Sequence, residues 1–426
     1  MQCDFSHVRR IAVRTLAVFA ALVVIYLGIG LAAYLVPDAP VRHHVEKTLE
    51  KGDFLEDYPH AVICENPNLQ DSYSLDNYTD ALIVNQALHL RVEGWKGIFL
   101  LPSPREGLNQ CENLSCSISD ADAGPNMYYP RYWHGSTFVV RLLLAITSYQ
   151  DIRYLFYMVS TVLLLWCLYR LWSRVGRGVA IAILFSLFSV NFFVMQFSLQ
   201  FVWVLLIALS GIIWLTYRQS VAWEQGILLF FVMGSLTGFL DLITVPSLTL
   251  ALPLVVVVAM RREQDWHRGI AVIVVMAVSW LLGYTLTWLS KWGLATPFTG
   301  ENVFANAYGQ AASWTEGGTN YIVTAIMSCM KYTHWKLVMM FSLFMLLMVV
   351  IGFRPKGWKL AVQFGLIMLI PLAYYVVMAH PAAHHAWFNY RALAPSVAAL
   401  LLSESAIVDS DKLRERFMNI FKKKQV

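Results

Sequence analysis

Ten apolar runs, separated by short turns and one long polar segment, constrain this chain more than any other feature. They cover about Ile11–Leu35, Ile152–Leu171, Val179–Val194, Phe201–Tyr217, Ile227–Leu240, Ile243–Met260, Ile270–Leu289, Leu337–Phe353, Leu360–Met378 and Ala392–Val408. A membrane-spanning helix needs about 20 mostly apolar residues, and a bilayer tolerates only segments whose backbone groups are satisfied internally. The pattern predicts an all-α polytopic membrane protein with about ten transmembrane helices. Composition agrees: 58% of the 426 residues are hydrophobic and 14% charged, against about 25% charged in a soluble domain. So few charges leave no water-facing surface for a cytosolic enzyme, a disordered chain or a nucleic-acid binder with a basic face. No Walker-type glycine loop, dinucleotide-binding glycine fingerprint, paired CxxC or HExxH occurs, and Glu316-Gly317-Gly318-Thr319 is too short to cradle phosphates.

The distribution of charge orients the runs. Lys and Arg of short loops prefer the cytoplasmic side. Arg9, Arg10 and Arg14 precede the first run, Arg170, Arg174 and Arg177 follow the second, and Arg218 follows the fourth. Arg261, Arg262 and Arg268 follow the sixth, Arg354, Lys356 and Lys359 the eighth, and the tail carries six more. These are alternate loops and both termini, which predicts a multi-pass protein of the inner cell membrane with both ends in the cytoplasm. The first run is longer than a signal-peptide core and reads as a retained anchor. The chain divides into a cytoplasmic start and first helix (1–36), an outer loop (37–150), helices two to ten (151–408) and a basic tail (409–426). Between Asp38 and Arg131 the outer loop holds fifteen Asp and Glu against seven Lys and Arg, a net charge of about −8.

Within that loop, Ala81, Leu82, Val84, Ala87 and Leu88 recur at helical spacing and predict a helix over Thr79–Leu90. Asp76 is placed to cap it, and Asp80 lies four residues on, on the same face. Tyr129-Pro-Arg-Tyr-Trp-His-Gly135 leads into Thr137–Thr147, a short amphipathic helix expected in the interface plane. Arg141 and Arg153 read as headgroup contacts. Cys64, Cys111 and Cys116 share the loop, an oxidising compartment by this topology; a Cys111–Cys116 bridge or one from Cys64 is expected, with connectivity open. Asn77-Tyr-Thr79 and Asn113-Leu-Ser115 match the glycosylation pattern.

One span, a long acidic outer loop with juxtamembrane helices, and then a run of spans resemble the GT-C superfamily of integral-membrane glycosyltransferases. Asp76-Asn-Tyr-Thr-Asp80, Arg131-Tyr-Trp-His-Gly135 and Asn389-Tyr-Arg391 also look like pieces of bacterial membrane proteins associated with cell-surface polysaccharide. The resemblance implies a GT-C-like fold and transfer of a sugar from a polyprenyl-phosphate donor to a glycan or lipid acceptor on the outer face. An aspartate of the first outer loop acts as base and the anomeric centre inverts. Some members use a divalent metal such as Mg²⁺ or Mn²⁺; others hold the phosphate with Arg or Lys. The chain departs from many members in one respect: their catalytic acid follows the first span by a few residues, whereas Asp76 lies about forty residues on.

The residue types support the same chemistry. A general-base carboxylate must reach the acceptor hydroxyl, and Asp76 and then Asp80 are the candidates; the alternative is a helix cap and a solvated acid. Arg131, with Trp133 and His134, combines a phosphate-binding guanidinium with rings for sugar faces; the alternative is an aromatic belt with a snorkelling Arg. Arg391 breaks the positive-inside tendency at the outer end of the last run and is a candidate for the donor phosphate, assisted by His385. Asp241 faces the donor side or caps a helix, and Glu301 reaches over the cavity from a loop. No metal-ligand set is assigned. Two other membrane classes compete: a glycolipid transporter or flippase, disfavoured by the lack of internal repeats, and a polysaccharide polymerase or ligase, whose large loop usually comes late.

Overall fold

Each of the ten apolar runs contains a helix in the computed structural model, which is about 83% helical. The structure describes residues 5–52, 60–62, 74–104, 109–119, 124–218, 220–263, 265–314 and 318–423. Helix α1 (Phe5–Leu35) is followed by a cap comprising α2 (Asp38–Glu50), β1 (His60–Val62), β2 (Ser74–Asp76), α3 (Asn77–His89), α4 (Gly97–Leu100), β3 (Pro102–Ser103), α5 (Gln110–Ser119), β4 (Met127–Tyr128) and α6 (Gly135–Leu144). Then come α7 (Tyr149–Arg174), α8 (Arg177–Ser189), α9 (Phe192–Phe197), α10 (Val202–Thr216), α11 (Trp223–Leu240), α12 (Ser247–Arg261) and α13 (Trp266–Thr299). The chain closes with α14 (Val303–Trp314), α15 (Gly318–Tyr332), α16 (Trp335–Ile351), α17 (Trp358–Val377), α18 (Ala379–His384), α19 (Ala386–Asn389), α20 (Ala394–Ala406) and α21 (Ser410–Lys423). The strands form two antiparallel pairs, β1 with β2 and β3 with β4.

Helix length divides the apolar runs into two kinds. By length and composition α1, α7, α11, α13 and the segment Pro355–Val377 can each cross a membrane, and α15 with α16 is a sixth candidate bent by 83°. Where about ten spans are expected, the described residues hold five helices of spanning length, or six with the bent pair. α8, α10, α12 and α20 have 13, 15, 15 and 13 residues, or about 20–23 Å at 1.5 Å per residue. That is shorter than a hydrocarbon core of about 30 Å. α10 and α12 are buried along nearly their whole length, so they are apolar because they pack inside a bundle, not because they face lipid.

Close backbone approach holds that bundle. α11 and α13 form the most extensive helix pair. A Cβ on Gly234 would lie 2.0 Å from the Trp280 carbonyl oxygen, and one on Gly283 would lie 2.1 Å from that of Phe231. Small residues at such positions let two apolar helices gain dispersion contact without a side chain between them.

The basic ends of the helices meet at one pole. Arg14 of α1 pairs with Glu224 at the start of α11. Arg170 of α7 donates to the Thr216 carbonyl of α10 at 2.7 Å, Arg261 of α12 to that of Val221 at 3.2 Å, and Gln363 of α17 to that of Glu263 at 2.9 Å. Phe353 bridges to Val408. The acidic segment caps the opposite pole, knotted by Arg141. This side chain is fully buried and donates to the carbonyls of Ala33, Val36 and Ala87 and to Asp38. Arg141 is thus no headgroup contact: its guanidinium satisfies carbonyls at the ends of α1 and α3 and pairs with the first residue of α2. α6 is wedged between α1 and α3, burying Ser136, Thr137, Phe138 and Val140.

Candidate functional site

Asp76 stands where β2 turns into α3. The strand pairing sets His60 opposite it, and the turn exposes the first amides of α3, which a short acidic side chain satisfies. Asp76 Oδ1 accepts the Thr79 amide at 3.0 Å and Oδ2 accepts the Thr79 hydroxyl at 2.7 Å. The expected cap is therefore present, and the predicted helix begins two residues earlier than expected. The Tyr78 amide also bonds to this carboxylate, which keeps acceptor capacity because it offers about four lone-pair positions. The side chain is 3% exposed. Burial raises its carboxyl above the ordinary range, against the pull of Thr79 and the positive charge of Arg391.

Asp80, one turn on, has a different environment. Oδ2 accepts the Tyr149 hydroxyl at 2.8 Å and the Leu199 amide at 3.1 Å, and Oδ1 accepts Ser198 Oγ at 3.2 Å and the Gln200 amide at 3.1 Å. Four donors fill its acceptor capacity, leaving no position for a substrate hydroxyl or a metal ion. Asp80 pins the 198–200 turn against α3. Burial pushes its carboxyl up to about 6, opposed chiefly by Arg153. Arg153 itself is buried over the Tyr149 ring and donates to the Phe197 carbonyl at 2.8 Å, so it too braces this turn and is no headgroup contact.

The pinned turn carries the link to Arg391. Phe201 follows it directly, and the fully buried Arg391 guanidinium lies 4.7 Å from the Phe201 ring centroid and 4.9 Å from that of Tyr390. Asp76 and Arg391 are within electrostatic reach of each other. Two more polar groups gather here. Among the described residues neither atom of the buried Asn77 amide is hydrogen-bonded, and the buried Gln200 Oε1 has no partner. An unpaired buried group costs about 1–3 kcal/mol, so such groups mark where a ligand or water belongs.

Asp241 joins from another side. It ends α11, accepts from the Thr244 amide and hydroxyl, and burial pushes its carboxyl up to about 7. Tyr374 ties this turn to the Arg391 turn, donating toward the Thr244 carbonyl at 3.1 Å and Asn389 Oδ1 at 3.0 Å. His385 begins α19; its carbonyl accepts the Asn389 amide at 3.0 Å, while its exposed ring stacks on Phe388 with centroids 5.3 Å apart.

Arg131, Trp133, His134 and Glu301 form a second group. Arg131 donates to Asn306 Oδ1 at 3.2 Å and lies over the Tyr129 and Tyr132 rings. Asn306 and Glu301 line a cleft of about 430 Å³ with Glu93, Lys96 and Tyr128. Trp133 offers no ring to a sugar: it is fully buried, donates to the Thr287 carbonyl at 2.8 Å and packs on Tyr26 and Phe239. His134 takes up φ +49° and is buried with neither ring nitrogen hydrogen-bonded among the described residues. Burial, with Lys291 and Arg131 nearby, holds it neutral, well below the ordinary histidine range. The two groups approach through Tyr284, which is within electrostatic reach of Asp241, Tyr374 and Tyr132. The structure thus brings Asp76, Asp80 and Arg391 together, ties the Asp241 turn to the Arg391 turn through Tyr374, and sets Arg131, His134 and Glu301 in a separate group.

The cysteine and glycosylation expectations are corrected. Cys111 and Cys116 are free thiols; five residues apart on one helix, they point about 140° away from each other at 100° per residue. Cys64 lies outside the described residues. Asn77 and Asn113 are 1% exposed, closed to a glycan. Among the described residues no group of three His, Cys, Asp or Glu is placed to hold a metal ion. Asn77, Gln200, Tyr374 and Lys291 escaped the sequence reading; only Lys291, a charge ending an apolar run, carried a signal there. No family model matches the chain, and no curated protein or solved structure matches it significantly.

Proposed function

We propose that the chain is a GT-C-type membrane glycosyltransferase that moves a sugar from a polyprenyl-phosphate donor to a glycan or lipid acceptor at the acidic pole. The observation that carries this reading is the convergence of Asp76 and Arg391, separated by 315 residues, as a buried acid and a buried cation beside the Asn77 amide and Gln200 Oε1, which are unpaired among the described residues. In this reading the acidic pole is the outer face, and the shorter helices complete about ten crossings of the inner membrane of the cell envelope. Asp76 removes the acceptor proton. The acceptor oxygen attacks the anomeric carbon from the face opposite the phosphate, the bond to the phosphate oxygen breaks, and the centre inverts. Arg391 neutralises the charge of the departing polyprenyl phosphate, as a guanidinium does with a fork of donors. Asn77 and Gln200 hold sugar hydroxyls, Asp80 keeps the 198–200 turn in register, and His134, Arg131 and Glu301 border the acceptor's approach.

The test is a reconstituted assay with labelled polyprenyl-phosphate sugar and cell-envelope glycan or lipid as acceptor. The reading expects labelled product and released polyprenyl phosphate. Movement of the intact donor across the bilayer without product would replace it with a flippase.

A further inference from the structure

A second feature lies at the basic pole and does not depend on the reading above. A cavity of about 560 Å³ opens where α7, α10 and α12 end. Arg174, the last residue of α7, lines it together with Arg218 from the turn after α10 and Arg262, which directly follows α12. Ser173, Val175 and Met260 are also in its wall, and no described residue lining it is acidic.

Local structure aims the three cations. Arg218 lies over the Trp214 ring, 4.6 Å from its centroid, and a guanidinium stacked by its face keeps its edge donors outward. Arg262 Nε donates to the Ala259 carbonyl at 3.3 Å, and Nη2 reaches that of Val175 across the cavity wall at 3.5 Å. The backbone of Arg262 is left-handed, with φ +44°. Helices commonly close on glycine in that conformation, because a Cβ there meets the following carbonyl. The chain thus keeps a cation at a position whose backbone favours glycine.

Basic side chains at helix C-termini are expected on dipole grounds alone, so the balance of charge decides. Each C-terminus carries about half a negative charge, and the three ends together offer about −1.5 against three guanidiniums. α8 starts at Arg177 and turns the positive end of its own dipole to the same place. The acids nearest in sequence are engaged elsewhere. Glu224 pairs with Arg14, Asp265 pairs with Arg268 at 3.6 Å, and Glu263 Oε1 accepts the Asp265 amide at 3.2 Å. Neither Arg174 nor Arg218 has an ion pair among the described residues. A surplus of about +1.5 remains, and a phosphate group carries about −1 to −2. Guanidinium forks match phosphate oxygens in pairs. Tyr169, Trp172 and Tyr217 beside the cavity are about half exposed or more. Such rings near the ends of apolar helices mark the level of lipid headgroups.

We infer that this cavity binds one phosphate group, held by Arg174, Arg218 and Arg262, with a membrane lipid headgroup as its source. A soluble phosphate offers the same chemistry, and the test separates the two.

The full chain in an uncharged detergent, stripped of lipid, is titrated at fixed ionic strength with dioctanoyl phosphatidylglycerol, dioctanoyl phosphatidylcholine or inorganic phosphate. A ligand that binds only the folded state raises the unfolding midpoint with concentration. Phosphatidylglycerol is expected to act at concentrations at least ~10-fold below those of the zwitterionic lipid, since the cavity carries a net charge. Arg174→Gln/Arg218→Gln is expected to need about 10- to 30-fold more phosphatidylglycerol for the same rise. Arg9→Gln/Arg10→Gln, which removes two exposed cations outside the cavity, is expected to respond as the wild type. Arg262→Gly supplies the residue that its φ favours and is expected to fold yet to show the same weakened response. A rise with inorganic phosphate at the concentrations that suffice for phosphatidylglycerol would replace the lipid with a soluble phosphate. A wild-type response in the Arg174/Arg218 variant, or an equal loss in the Arg9/Arg10 variant, would overturn the inference. Should the Arg174/Arg218 variant unfold, the response of Arg262→Gly decides it.

Discussion

Asp76 and Asp80 share one helical face, yet only one of them keeps acceptor capacity. Asp80→Ala strands a tyrosine hydroxyl, a serine hydroxyl and two amides in a buried place. With unsatisfied groups costing about 1–3 kcal/mol each, this variant is expected to lose at least ~2 kcal/mol, read by thermal unfolding. The Asp80 carboxyl is raised from the ordinary 3.8 to about 6, so the folded state holds this proton more tightly than the unfolded one. Its contribution is present below pH 4 and is lost as pH rises through 6; Asp80→Asn is expected to remove that slope from the stability profile. As the proposed base, Asp76 would act only when ionised, and burial raises its carboxyl. Transfer is therefore expected to climb with pH along a limb above the ordinary carboxylate range. Removing the nearby charge with Arg391→Gln moves that limb further up, which turnover at saturating donor against pH would show. The acid and the cation were legible in the sequence, Asp76 as a cap and Arg391 as a charge on the wrong side. The division of labour was not, because the four donors to Asp80 come from Tyr149 and the 198–200 turn, far along the chain.

The elements that hold these groups depend on close backbone contact. Gly283→Val would drive a branched side chain into the Phe231 carbonyl of α11. Overpacking of this kind costs about 1–3 kcal/mol, and the variant is expected to unfold at a lower temperature than Gly293→Val, whose Cβ meets nothing within 4 Å. Gly135 starts α6 against Phe239, where a Cβ would come within 2.4 Å of the ring. Gly135→Leu is expected to separate the 131–134 segment from the end of α11 and so lower transfer more than stability. Helix positions were readable from apolar periodicity, and α3 falls almost where Ala81, Leu82, Val84 and Ala87 put it. Helix length was less readable, because an interior helix such as α12 is as apolar as a lipid-facing one. The packing of α6 was equally hidden: its apolar residues meet α1 and α3, and its one cation, Arg141, is spent on carbonyls.

Across the whole molecule, charge is sorted to two poles. Nineteen of the thirty-two Lys and Arg belong to the predicted cytoplasmic loops and termini, and the contacts among those loops gather them at one end. Single cysteines at Tyr308, 78% exposed, and at Trp358, 49% exposed, placed in a background with the native thiols changed to Ser, are expected to react with an impermeant maleimide from opposite sides of a sealed membrane. The central claim is that Asp76 and Arg391, brought together by the whole fold, divide chemistry and donor binding between them. The measurement that tests it most directly compares donor affinity and turnover in the wild type, Asp76→Asn and Arg391→Gln, each shown to fold. Asp76→Asn is predicted to bind polyprenyl-phosphate sugar as the wild type does while turnover falls about 10²–10⁴-fold. Arg391→Gln is predicted to weaken donor binding roughly 10- to 100-fold, the worth of a charged hydrogen bond. Wild-type turnover in Asp76→Asn together with wild-type affinity in Arg391→Gln would contradict the account.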